Sequence, residues 1–92
     1  MTDPVVERLR AQIADRDHAV LEAVNARLEL VAKLHAHKER VGLDFVDSAQ
    51  EERLLRALDD ANRGPLSSNG LRELFREILA LTKREIGSGR SA

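Results

Sequence analysis

Between Val5 and Arg40 apolar residues recur at intervals of three and four, among them Leu9, Ile13, Val20, Val24, Val31 and Leu34. No Gly or Pro interrupts the run. That period places them on one face of a single amphipathic helix. The flanks agree. Asp3 can cap the first turn, Pro4 suits the first helical position, Glu7 adds negative charge there, and Gly42 ends the run. At about 1.5 Å per residue such a helix reaches about 54 Å, whereas a compact chain of this size has a radius of gyration of about 12 Å. The helix must overhang its own domain. Its apolar stripe calls for cover by another chain, and a homodimer is the economical arrangement.

The pattern changes after Val41. Residues 41–46 read as a loop, anchored by Phe45 and Val46. Ser48-Ala49-Gln50-Glu51 then has the capping-box form, in which Ser and Glu satisfy each other's backbone donors. Leu54, Leu55, Leu58 and Ala61 carry a second helix to about Asn62, and Arg63-Gly64-Pro65 breaks it. Ser67 or Ser68 can cap a third helix, with Leu71, Leu74, Phe75, Ile78, Leu79 and Leu81 on its apolar face and an end near Ile86. Gly87 to Ala92 has the composition of a flexible tail. The expected fold is all-α, one long helix and two shorter ones in a single domain over residues 1–92. Leu54, Leu58, Phe75 and Ile78 are expected in its core.

Composition narrows the function. Phe45 and Phe75 are the only aromatics, so an aliphatic core is required, which favours helices. A net charge of -1 and the lack of an aromatic ladder argue against nucleic acid as partner. Without cysteine there is no disulfide framework or thiolate chemistry. The N-terminus has no signal-peptide pattern, and no apolar run approaches bilayer length, so a cytoplasmic protein is expected. His35 and His37 face different sides of a helix and do not suit a shared metal, so none is expected; His18 reads as a surface residue.

Two cations disturb the apolar stripe. Arg27 and Lys38 are eleven residues apart, about three helical turns, and share its face. A charge there is costly to bury unless paired, so the two in line suggest a pocket for an anion between helices. Asp47 and Glu51 follow shortly. Arg10, 17 positions before Arg27, sits about 25 Å away and about 100° around the helix. It can join such a site only from an antiparallel partner helix. Each residue also has a plainer reading. Arg27 and Lys38 could snorkel from a coiled-coil edge, and Glu51 is well explained as a capping residue. The runs Glu51-Glu52-Arg53 and Lys83-Arg84-Glu85 are mainly solvated faces, with Lys83 and Arg84 as reserve site residues.

Together the residues have a family look. Leu9-Arg10-Ala11-Gln12-Ile13, Asp17, Arg27-Leu28-Glu29-Leu30-Val31, Lys38, Gly42, Asp47 and Glu51 resemble the all-helical chorismate mutases. Asn62-Arg63-Gly64-Pro65-Leu66 and Leu74-Phe75-Arg76-Glu77-Ile78 are similar to the same family's third-helix entry and body, so the likeness runs from about Val5 to Ile86. The resemblance implies an intertwined three-helix homodimer with two active sites. It implies isomerisation of chorismate to prephenate by an intramolecular Claisen rearrangement, in phenylalanine and tyrosine biosynthesis, with no cofactor. Arg27 and Arg10 of the partner subunit would bind the two carboxylates, and Lys38 would donate to the ether oxygen. Glu51, with the backbone near Asp47, would accept from the substrate hydroxyl. Thr82, by itself an ordinary helix-face hydroxyl, would touch the carboxylate region.

Two positions in this substrate-binding set depart from the family. Gln50 stands where an arginine is frequent, and Ile86 where a glutamine commonly donates to the ether oxygen. Ile86 cannot donate. Lys83, Arg84 or a shift of the helix could fill the gap; an unreplaced donor costs roughly 2–4 kcal/mol of transition-state stabilisation, so a slow mutase is expected. An isochorismate pyruvate-lyase on the same scaffold and a non-catalytic helical interaction module are the alternatives. The loop and Asn62 to Leu66 favour the mutase. The resemblance also leaves room for an upstream shikimate-pathway enzyme as a partner.

Overall fold

In a computed structural model describing residues 3–87 the chain forms helix α1 (Pro4–Val41), α2 (Ser48–Ala61), α3 (Ser68–Thr82) and a π-helical turn (Lys83–Gly87). No strand occurs among the described residues. Helix α1 begins where its residues dictate. The Asp3 carboxylate accepts from the backbone N–H groups of Val5 (2.8 Å) and Val6 (3.4 Å), with Pro4 at the first helical position. At the other end Gly42 takes φ 76°, the Leu43 N–H donates to Lys38 O at 2.9 Å and the Gly42 N–H to Glu39 O at 3.4 Å. This paired closure through a left-handed residue satisfies the last carbonyls.

Helix α1 buries none of its own residues. Leu9, Ile13, Val20 and Leu21 are all exposed, Ile13 to 59%. The radius of gyration is 17.1 Å over an extent of 60 × 32 × 15 Å, well above the about 12 Å of a compact chain of this length. The overhang expected from the hydrophobic period is present, and the stripe stays uncovered within one chain.

Helix α2 starts differently from the expectation. The capping residue is Asp47, whose carboxylate accepts from the Gln50 N–H at 3.1 Å, and Ser48 is already helical. A carboxylate is at least as good a cap as a hydroxyl and adds charge complementary to the helix N-terminus. Asp47, one residue earlier, therefore displaces the Ser48–Glu51 box. Glu51 is left outside the cap.

Asn62 ends α2 and shapes the turn beyond it, donating from Nδ2 to Leu66 O (2.8 Å) and accepting from the Gly64 N–H (2.9 Å). Ser67 caps α3 through the Gly70 N–H at 3.0 Å, and the Ser68 hydroxyl ties back to the Asp59 carboxylate at 2.7 Å. Among the described residues the buried apolar ones are Leu55 and Leu71, where α2 and α3 pack. Leu54, Leu58, Phe75 and Ile78, expected in the core, are only half-buried. A single chain lacks the further layer needed to close over them.

Helix α3 gives way at Thr82 to the π-helical turn, where the pattern predicts a continuous helix to about Ile86. Gly87, expected to open the tail, ends this turn against Phe45: a Cβ at Gly87 would stand 2.6 Å from the ring's Cε2. Phe45 in turn meets His35 edge-on, with ring centroids 4.6 Å apart. These contacts pin the end of α3 to the last turns of α1. The rest of the expected tail, 88–92, lies outside the described residues.

Candidate active site

Between α1, the 42–47 loop, α2 and the end of α3 lies a cavity of about 300 Å³. Helix α1 contributes Arg27, Val31, Leu34 and Lys38, the stretch the sequence pattern singled out. Arg27 and Lys38 are held by groups far from α1's own face. The Arg27 Nη1 donates to Thr82 Oγ1 at 2.6 Å, and that hydroxyl donates to Ile78 O at 2.7 Å. Thr82 is 6% exposed. Its hydroxyl proton is thus directed into its own helix and its oxygen toward Arg27, which makes it a support for the guanidinium rather than a nucleophile. Lys38 Nζ donates to Phe45 O at 3.2 Å, so the closure at Gly42 also sets where this ammonium is anchored.

The far wall holds a carboxylate and a third cation. Glu51 accepts from Lys83 Nζ, 3.1 Å from Oε2 and 3.4 Å from Oε1. Both side chains are partly exposed, so the pair contributes about 1 kcal/mol or less and exchanges readily. Asp47 also lines the cavity, but its carboxylate is committed to the α2 cap. Gln50 lines it too, with Oε1 accepting from Arg53 Nε (3.1 Å) and Nη2 (3.0 Å). Leu54, expected as core, contributes apolar wall together with Leu79 and Phe45.

Arg27, Lys38, Asp47, Gln50, Glu51 and Thr82 therefore meet around one cavity. Arg10 does not: it is exposed on the overhanging half of α1, about 25 Å along the helix from Arg27. Ile86 lies half-buried on the π-helical turn, outside the lining, and Arg84 is exposed outside it as well. Of the reserve residues only Lys83 reaches the cavity. A signal for it was present. Thr82 and Lys83 follow Leu79 by three and four residues, the spacing of one helical face.

Three cations and one carboxylate outside the cap, set around a small, partly apolar hollow, form a site between helices suited to a compact anion. Such a site works by positioning and electrostatics. The sequence matches the family described as chorismate mutase type II over residues 9–86, and the chain belongs to that family. The fold is similar to solved structures of the chorismate mutase of Thermus thermophilus. Form II aligns with TM-score 0.82 at 27% identity, covering 84% of this chain and 88% of the other. Form I gives the same score and identity over 84% of this chain and 96% of its own. No curated protein matches the chain. No described helix is long and apolar enough to cross a membrane.

Proposed function

We propose that the cavity is where this isomerase converts chorismate to prephenate, a step toward phenylalanine and tyrosine. The observation that carries the reading is the convergence of Arg27, braced by Thr82, and Lys38, braced by Phe45 O, on one hollow. Chorismate is a dianion with a ring hydroxyl and an enol ether. Arg27 presents a planar fork to one carboxylate. Lys38 donates to the ether oxygen, which gains negative charge as its bond to the ring lengthens. Glu51 accepts from the hydroxyl and sets the ring's orientation. Holding both reacting ends together removes the cost of finding the folded conformer, and fixed cations stabilise charge as it separates.

The second carboxylate falls to Arg10 of the partner subunit in a homodimer whose long helices run antiparallel. Two features support this. Helix α1 has an uncovered apolar stripe and no buried residue of its own, and Arg10 lies too far along α1 to serve the Arg27 of the same chain. The stripe supplies the association and Arg10 gives it a catalytic use.

Purified protein incubated with chorismate should consume it and release prephenate. Salicylate and pyruvate from isochorismate would identify a lyase instead, and turnover of neither would refute an enzymatic role. Light scattering should return twice the chain mass; a monomer with full activity would refute the shared site.

A further inference from the structure

The third helix brings one cation to the cavity, at the point where its geometry changes. Thr82 is committed to Arg27 and Ile78, and Ile86 is apolar and outside the lining. Between them the helix switches to the π-helical turn, which begins at Lys83. Single π turns in α-helices are rare and recur at functional sites. Lys83 lines both the main cavity and an adjoining hollow bounded by Asp44, Phe45, Val46 and Gly87. Its partner, Glu51, is the carboxylate of the main cavity not spent on a cap.

We infer that Lys83 is a second donor to the oxygen that becomes negative in the rearrangement, working beside Lys38; this rests on the reading of the site given above. In that reaction the ring carbon–oxygen bond breaks and a carbon–carbon bond forms between the enolpyruvyl methylene and the ring. The electron pairs move within one molecule, and the ether oxygen ends as a ketone oxygen. No proton is gained or lost, so both ammonium groups stay charged throughout. A fixed cation suits that demand because it stabilises developing charge without transferring anything. The partly exposed pair with Glu51 holds the ammonium at the cavity wall. An entering dianion competes for Lys83, and Glu51 turns to the substrate hydroxyl. One wall thus supplies a donor and an acceptor from a single exchangeable pair.

The test compares Lys83→Ala, Lys83→Met and Lys83→Arg, with Arg84→Ala as the neighbouring control, in steady-state turnover of chorismate. Lys83→Ala should lower kcat by about 10²-fold with a much smaller change in KM, Lys83→Arg should recover most of it, and Arg84→Ala should match the wild type. A bicyclic ether dicarboxylate mimicking the transition state should bind Lys83→Ala about 10²-fold more weakly by calorimetry. A double-mutant cycle separates direct donation from a role confined to holding Glu51. Loss of the Lys83→Ala effect in a Glu51→Gln background overturns direct donation, and its persistence there supports it. Unchanged kcat in a folded Lys83→Ala dimer overturns the inference while Lys38→Ala inactivation leaves the mutase reading standing. If Lys83→Ala does not fold by circular dichroism, Lys83→Met, close in length and unable to donate, decides the same question. Absence of turnover by the wild type overturns both.

Discussion

Thr82→Val isolates the contact that links the first and third helices. Valine keeps the shape of threonine, so the 6% exposed site is neither emptied nor overfilled. Two hydrogen bonds go: acceptance from Arg27 Nη1 at 2.6 Å and donation to Ile78 O at 2.7 Å. The second is a hydroxyl bonding back to its own helix, whose carbonyl is already in the helical ladder, so its loss changes little. The first involves a charged donor, for which about 1.5–3 kcal/mol is typical. Arg27 is half-exposed, so water takes over part of that bond and about 1–2 kcal/mol remains. The guanidinium then loses its orientation toward the substrate carboxylate, and kcat/KM should fall about five- to thirtyfold. Chorismate disappearance measured over a range of concentrations reads this directly, with the thermal midpoint as the control for folding. Thr82→Ser should keep most of the activity. If Thr82→Val has wild-type kcat/KM, the hydroxyl does not position Arg27 and the reasoning fails.

Three other changes probe the frame. Asp47→Ala removes the α2 cap and should cost about 1 kcal/mol of stability, with Asp47→Ser restoring most of it; a thermal melt that does not move would show the cap to be replaceable. Gly87→Ala places a methyl against the Phe45 ring and should cost about 1–3 kcal/mol. It should also weaken activity by shifting the Phe45 carbonyl that holds Lys38, and a neutral result would mean the ring moves freely. Ile13→Glu puts a charge on the exposed stripe of α1 and should shift the chain toward monomer in light scattering with a parallel loss of activity. A fully active dimer would remove the stripe from the interface.

The long helix is legible because everything that fixes it is local: a period of 3.6, Asp3 and Pro4 at one end and Gly42 at the other. Arg27 and Lys38 are legible for the same reason, since one helix sets their common face. The start of α2 differs from its reading by one residue because Asp47 and Ser48 compete for the same role, and pattern alone does not rank a carboxylate against a hydroxyl beside it. The partners of the cations are not legible. Thr82 on Arg27, Phe45 O on Lys38 and Lys83 on Glu51 depend on how helices and loop pack, and sequence spacing within one helix carries no such information. The π-helical turn escapes too, because nothing in Lys83-Arg84-Glu85-Ile86-Gly87 marks a change of hydrogen-bond period. Gly87 has the look of a tail's first residue, yet its missing side chain is what admits Phe45.

A helix of 38 residues with none of them buried in its own chain has one consequence for how such an enzyme behaves in a cell. In the homodimer proposed above, its folding and its pairing are coupled, so stability depends on how many copies are present. Diluting the protein should lower its melting temperature and its turnover per chain together. If Arg10 is shared as proposed, the amount of enzyme made sets its quality as well as its quantity, and a newly synthesised chain completes its active site only on meeting another.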